Sequence, residues 1–356
     1  MVFLKINTRK KPAFPALGIT SCQKENKVCG KLFEARHLRG MKITMKESLV
    51  KLAARIAGDF LQEQIKSSYQ IIGKGITNQV CVVETELHKV VVRMNDEDTF
   101  PSFNKEKWCI EQAAAVGIPG PQVLSIGIVD ETAYMIQAFL EGENGIDSTV
   151  PKSNVWRKLG EYAKLIHSIQ VKGYGENLID PVHGEFQSPS HAGSDGSWQG
   201  YVQHNINSLT EHDRLIELGV ITPMESQRIK QLFEDLKSET FRLGLNHGDI
   251  SLKNTIINQA NQVILLDWNA KVSVVPHATV AQLMHYQILG LEESPNDEEF
   301  KAFIDGYELN GKDLSDIRHY LLLRAFDNLR WAIDRSPDLI EPYAAFAKQV
   351  VDIIMD

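Results

Sequence analysis

An α+β fold in two lobes, a small antiparallel-sheet N-lobe followed by a larger, mostly helical C-lobe, is what this 356-residue sequence predicts. Three observations predict it. Short β-branched runs crowd residues 69–139, with one helical stretch among them. A polar connector with two glycines follows at 141–150. Helical spacing then dominates from residue 152 onward. Strands collected first and helices second give an α+β arrangement rather than an alternating one. The expected divisions are a basic tail over 1–45, the N-lobe over 46–140, the connector over 141–150 and the helical lobe over 151–356.

Helical spacing begins near Glu47, where Leu49, Leu52, Ala53, Ile56, Phe60 and Leu61 fall on one face. Residues 69–72, 79–84 and 89–94 read as strands, with Gly73 and Gly75 in the first turn and 85–88 in the second. Residues 104–116 read as a helix ended by Gly117 and Pro119. Residues 123–128 and 133–139 make a hairpin across Asp130-Glu131. Residues 152–170 read as one helix, and 173–197, rich in Gly, Pro, Ser and His, as a long loop. Thr222-Pro223-Met224-Glu225 places a cap residue, a proline at the first helical position and a glutamate at the third, which starts a helix running to about Phe241. Residues 255–257 and 262–266 form a short hairpin, and helices are expected at 278–289, 297–309, 313–334 and 341–355.

Composition narrows the function classes. The chain is 43% apolar and 24% charged, ordinary for a soluble globular protein. A net charge of −8 argues against a general nucleic-acid binder. No apolar run reaches the roughly eighteen residues that a membrane-spanning helix needs. Four scattered cysteines without a CxxC pair argue against a disulfide framework and a Cys-rich zinc site, and fit a cytoplasmic protein. Residues 1–46 hold eleven Lys/Arg and two acids, a net +9, so the remainder carries −17. Without an apolar core segment or a sustained period, the first forty residues read as a disordered basic tail or as sequence upstream of a start at Met41.

The chemistry-bearing segment is Asn246-His247-Gly248-Asp249-Ile250-Ser251-Leu252-Lys253-Asn254, followed by the apolar run Val263-Ile264-Leu265-Leu266 ending at Asp267-Trp268. Phosphoryl transfer needs a carboxylate to orient or deprotonate the attacking hydroxyl, and oxygen ligands that hold Mg²⁺ against the phosphates. Asp249 suits the first task. Asn254 and Asp267, thirteen residues apart across one tight hairpin, suit the second. Gly248 permits a backbone shape that a Cβ would resist. Each piece alone is common in turns and sheets; their order and spacing together are what point to phosphotransfer.

The pattern HGDxxxxN followed by LLDW resembles the aminoglycoside phosphotransferase-like kinases, the superfamily that also holds choline, homoserine-type and fructosamine kinases and has a protein-kinase-like fold. The resemblance covers about residues 69–350 and is most specific at 247–268. Gly248 stands where protein kinases have the Arg of HRD, and Ser251 where they have Lys, which places the chain on the small-molecule branch. The resemblance implies ATP or GTP and Mg²⁺ as cofactors, and a small-molecule hydroxyl as acceptor: an aminoglycoside-like antibiotic, a sugar or an amino alcohol. It implies a phosphate-covering hairpin carrying Gly73, Gly75 and Asn78. It puts Arg93 in place of the phosphate-binding Lys, with Glu106 as its helix partner and Glu111 as the competitor. Gln137 and Phe139 fall in the hinge that faces the base. His167 matches a histidine that anchors the catalytic loop, whereas His183, His191 and His204 lack metal-site spacing. The acceptor is expected between the 173–200 loop and the C-terminal helices. Trp198, Asp327 and Trp331 are wall candidates there, with core packing the simpler role for the two tryptophans.

One departure stands out. Relatives continue past the metal-binding Asp with Gly-Asp-Pro…Asp-Leu-Ala. Here Val274-Val275-Pro276-His277-Ala278-Thr279-Val280-Ala281 keeps the proline and loses both acids, so the support of the catalytic loop must differ. That departure and Arg93 motivate an alternative, a catalytically weak or inactive kinase-fold binding protein. The sequence leaves the oligomeric state open.

Overall fold

The computed structural model describes residues 48–71, 78–189, 194–291 and 294–355. The tail over 1–45, Gly73, Gly75 and His191 lie outside the described residues. Helix α1 (Leu49–Leu61) is capped by the Ser48 hydroxyl and leads into β1 (Ser67–Ile71), β2 (Gln79–Glu84) and β3 (Lys89–Asp96). Helix α2 (Phe100–Ala115) precedes the hairpin of β4 (Val123–Val129) and β5 (Thr132–Ala138). These strands form one antiparallel sheet in the order β1-β2-β3-β5-β4.

Period-2 alternation sorts β3 cleanly between the two faces of this sheet. Val90, Val92 and Met94 pack with Leu52, Ala53, Ile56 and Ala57 of α1. Val91 and Arg93 turn to the opposite face and line a cleft. Phe103 of α2 covers Ala133 and Met135 on β5. The connector contains β6 (Glu143–Asn144), which pairs with β11 (Thr255–Ile257). It is therefore bonded into the catalytic hairpin rather than being a free polar strap.

The C-terminal region holds α3 (Lys152–Ile166), β7 (Lys172–Tyr174), β8 (Asn177–Asp180), β9 (Glu185–Gln187), α4 (Trp198–Ser208), α5 (Arg214–Glu217) and α6 (Pro223–Ser238). The Thr222–Glu225 capping box is formed. Then come β10 (Leu243–Asn246), β11, β12 (Val263–Leu265), β13 (Lys271–Val274), α7 (His277–Leu289), α8 (Asp297–Tyr307), α9 (Ile317–Arg335) and α10 (Ile340–Met355). Helices α3 and α8 pack closely because each offers a glycine at the contact. A Cβ on Gly160 would lie 2.1 Å from the Phe303 carbonyl oxygen, and one on Gly306 2.0 Å from that of Arg157. No helix among the described residues is long and apolar enough to cross a membrane.

Several expectations are corrected. The stretch read as one long loop contains β7, β8 and β9, strands of three or four residues whose alternation is too short to see. The same shortness hid β10 and β13. The helix placed at 104–116 begins at Phe100, with Pro101 in its first turn, and the one placed at 152–170 ends at Ile166. Trp198 is a core residue stacked at 5.8 Å on Tyr320, but Trp331 is 43% exposed and does not pack in the core.

Candidate active site

Strand β10 delivers the chain to Asn246, and the next eight residues build the catalytic loop. Gly248 has φ +87°, and a Cβ there would sit 1.9 Å from the Asn269 carbonyl oxygen, so both torsion and space require glycine. His247 is buried; its Nε2–H donates to the Leu266 carbonyl at 3.0 Å and its Nδ1 accepts the Asp249 N–H at 3.2 Å. Burial lowers its pKa to about 4, which keeps the ring neutral and able to do both. One side chain thus ties the Asp249 loop to the segment that leads from β12 to Asp267.

The Asp249 carboxylate is held from several sides. Oδ2 accepts from Asn254 Nδ2 at 2.9 Å and lies 3.7 Å from Lys253 Nζ. Oδ1 accepts from the Tyr286 hydroxyl at 2.8 Å and, more distantly, from Gln282 Nε2 at 3.4 Å. Gln282 also donates to the Gly248 carbonyl at 2.9 Å. Asn254 Nδ2 donates to the Asp249 carbonyl as well, at 2.9 Å, so its nitrogen is committed and Oδ1 is left for a cation.

On the sheet side, Arg93 bridges two carboxylates. Nη1 donates to Glu106 Oε1, and Nη2 to Asp267 Oδ1 at 3.1 Å. Glu106 is buried; burial raises its pKa, against the pull of Arg93 and the Trp268 N–H. Glu111, the competitor, instead makes an exposed pair with Lys107 at 3.5 Å. Asp267 has φ +55° and a largely exposed side chain. Arg93, Asn254 and Asp267 line one cleft of about 400 Å³, together with Asn78, Gln137 and Phe139. Val80, Val91, Ala138, Ile256 and Leu266 supply its apolar walls. Gln137 Nε2 is buried there without a hydrogen-bond partner among the described residues. Phe139 carries Lys89 Nζ 4.0 Å above its ring.

A chain of neutral groups supports the loop that carries Asp249, where the resemblance implies acids. The Tyr307 hydroxyl lies 2.7 Å from His167 Nδ1, His167 Nε2 lies 3.1 Å from the Thr279 hydroxyl, and Thr279 donates to Asn246 Oδ1 at 3.1 Å. Asn246 Oδ1 also accepts the Gly248 N–H at 3.1 Å. Burial lowers the His167 pKa to about 3, with the Arg242 charge acting in the same direction. A neutral His167 with its proton on Nε2 satisfies every link.

Of the residues singled out in the sequence, Asp249, Asn254, Asp267, Arg93, Glu106, Asn78, Gln137 and Phe139 converge on this region. Gly73 and Gly75 lie outside the described residues. Sequence reading missed Gln282 and Tyr286, and with them the role of Thr279. The available signal was their spacing of three, four and seven residues along α7, which puts three polar side chains on one helix face.

Comparison with known families matches residues 68–307 to the Phosphotransferase enzyme family. The chain belongs to that family, and with it to the small-molecule phosphotransferases. No curated protein sequence matches. Among solved structures, a candidate fructosamine-3-kinase from Haemophilus somnus 129PT is similar at 14% identity and TM-score 0.57, covering 87% of this chain and all of that one. A thermostable mutant of the aminoglycoside phosphotransferase APH(4)-Ia, crystallised with ADP and hygromycin B, is similar at 17% identity and TM-score 0.58, covering 86% of this chain and 99% of that one. Spectinomycin phosphotransferase APH(9)-Ia, crystallised with ADP and spectinomycin, is similar at 14% identity and TM-score 0.52, covering 87% and 98%. At these identities the likeness establishes a shared fold, the protein-kinase-like fold expected from the sequence.

Proposed function

We propose that this protein transfers the γ-phosphate of ATP or GTP to a hydroxyl of a small molecule. One observation carries the reading: Arg93, Asn254 and Asp267 line a single cleft, and Asp249 is hydrogen-bonded to Asn254 at its edge. The nucleotide base lies between the apolar walls, near the unpartnered amide of Gln137. Arg93, held by Glu106, presents its remaining N–H groups to the phosphates. Asn254 Oδ1 and the exposed Asp267 carboxylate are hard oxygen donors suited to Mg²⁺, which takes few protein ligands and completes its shell with phosphates and water. When bound, Mg²⁺ supplies charge neutralisation on the phosphates. Asp249 orients the acceptor hydroxyl. The acceptor oxygen bonds to the γ-phosphorus, the bond from that phosphorus to the bridging oxygen breaks, the hydroxyl proton passes to Asp249, and the nucleoside diphosphate leaves.

The test is nucleotide consumption by the purified chain with ATP or GTP, Mg²⁺ and a panel of alcohols, sugars and aminoglycosides. We expect Asp249→Asn to lower turnover by roughly 10²–10⁴-fold while leaving nucleotide affinity in place. Unchanged turnover would remove Asp249 from this role.

A second reading, a kinase-fold protein that binds nucleotide with little or no transfer, is favoured by one feature. Tyr286, Asn254 and Gln282 already donate to the Asp249 carboxylate, which occupies the oxygens an acceptor hydroxyl would have to reach. Nucleotide-dependent thermal stabilisation without turnover on any acceptor would support it.

A further inference from the structure

A second charged cluster lies beside Asp249, and the nucleotide cleft does not use it. Lys271 opens β13 and is register-paired with Asn246, three residues before Asp249. Two backbone bonds, of 2.9 and 2.8 Å, bridge Gly175 and Val272, which brings Glu176 and Tyr174 alongside this strand. Helix α9 contributes Arg324 and, one turn later, Asp327. Lys271 is in electrostatic reach of Arg324, Glu176, Asp327 and Lys105. Arg324 is also in reach of Tyr286, whose hydroxyl sits on Asp249. The cluster therefore extends from β13 to the carboxylate that faces the acceptor.

Its cations outnumber its acids, and one of them keeps an unpartnered nitrogen. Arg324 Nε is buried and has no hydrogen-bond partner among the described residues. Arg330, two turns along the same helix, shows what a structural arginine looks like here. It donates to Asn205 Oδ1 at 2.9 Å and to Asp213 Oδ2 at 2.8 Å. Asp327, the acid nearest Arg324 in sequence, is instead engaged by the Tyr201 hydroxyl. Lys271 is compensated only in part. Burial, then the like charge of Arg324, pull its pKa down to about 8 against the opposing pull of Glu176 and Asp327. Lys271, Arg324 and Lys105 gather against two acids, Glu176 and Asp327, and the positive charge left over is one that a ligand anion can balance. A guanidinium and an ammonium converging from two elements match a carboxylate or a phosphate.

We infer that Lys271 and Arg324 form the anion subsite of the acceptor, so that the hydroxyl receiving phosphate belongs to a molecule that also carries a carboxylate or phosphate group. This rests on the phosphotransferase reading of Asp249. It separates the protein from catalysts of polycationic acceptors, since an aminoglycoside offers no anion to Lys271 and Arg324 and adds to the positive charge beside Asp249.

The test uses the full chain saturated with AMP-PNP and Mg²⁺, so that the nucleotide cleft is filled. Thermal stabilisation is measured with malonate, citrate and inorganic phosphate, for wild type and for Arg324→Gln, Arg324→Lys and Lys271→Gln. The expected result is stabilisation of wild type, partly kept in Arg324→Lys and lost in both glutamine variants. No stabilisation by any of the three anions, or equal stabilisation in all four proteins, overturns the subsite. Turnover is then compared across hydroxy acids, sugar monophosphates, neutral polyols and aminoglycosides. Preference for either anionic arm supports the inference and says which anion is read. Arg324→Gln should raise the acceptor KM ten- to a hundredfold, with the nucleotide KM as internal reference. Preference for a neutral or cationic acceptor overturns the inference while phosphotransfer stands. Turnover on no acceptor counts against phosphotransfer itself, and the anion titration still decides whether the subsite exists.

Discussion

The two halves of the candidate site are held together by different physics. On the side of the cleft the links are charged: Arg93 joins the buried Glu106 to the exposed Asp267. On the catalytic-loop side the links are neutral, running from Tyr307 through His167 and Thr279 to Asn246. Under the proposed function, charge is placed where a charged ligand would rearrange it. Neutral donors and acceptors are placed where the only task is to fix a backbone, deep inside, where an ion would need compensation. The loss of the acids at 274–281 is therefore a change of currency in the support. The support itself is still present.

Breaking the charged half should have the largest effect. Arg93→Met strands Glu106 in the interior, and we expect a loss of ~3–5 kcal/mol in chemical denaturation. Arg93→Met combined with Glu106→Leu should regain most of that stability and none of the nucleotide affinity, measured by AMP-PNP titration. Recovery of affinity in the double variant would show that Arg93 acts only through packing.

The neutral half should respond to acid. The pKa of His167 in the folded protein, about 3, lies below its ordinary value near 6.5, so the unfolded chain binds the proton first. Its contribution to stability is complete above about pH 6.5 and is lost as pH falls toward 3. At pH 5 the gap of 1.5 units corresponds to ~2 kcal/mol. His285, buried against Phe346 with its pKa also lowered to about 3, adds a loss in the same window. Denaturation midpoints at pH 7 and pH 5 check this, and His167→Asn should flatten the slope. A midpoint that does not move between these pH values would refute a neutral His167.

Thr279→Val keeps the shape and removes the hydroxyl between His167 and Asn246. We expect ~1–3 kcal/mol of destabilisation, since both partners are left buried without a substitute, together with slower turnover. The smallest effect sharpens the comparison from outside it. Glu111→Ala breaks only an exposed pair with Lys107 and should cost no more than ~0.5 kcal/mol, with nucleotide affinity unchanged.

What the sequence made legible follows the same division. Asp249, Asn254 and Asp267 lie within nineteen positions of one another, on a loop and a hairpin whose order carries the meaning. Arg93 and Glu106 could be placed because the sheet has clear alternation and a helix of ordinary length. Thr279, Gln282 and Tyr286 could not. Residues 277–285 of α7 are all buried, so the helix has no polar outer face against which an inward polar residue would stand out. Lys271 and Arg324 were hidden for another reason. Their proximity depends on a four-residue strand and on a helix that begins 46 residues later, at Ile317. No local pattern reports a contact of that separation.

The pairing of β6 with β11 bears on how the molecule can move. The chain leaving the sheet lobe is fastened to the catalytic hairpin at Glu143 and Asn144, and Asn144 Nδ2 is further pinned to the Lys253 carbonyl at 2.8 Å. Upstream, the Phe139 N–H is still bonded to the Lys89 carbonyl in the sheet. Only residues 140–142 lie between these two fixed points. Along the chain the free length between the sheet and the hairpin is therefore three residues, and the Leu265 N–H bonded to the Pro119 carbonyl at 3.0 Å adds a second tie, so the cleft can gape only a little.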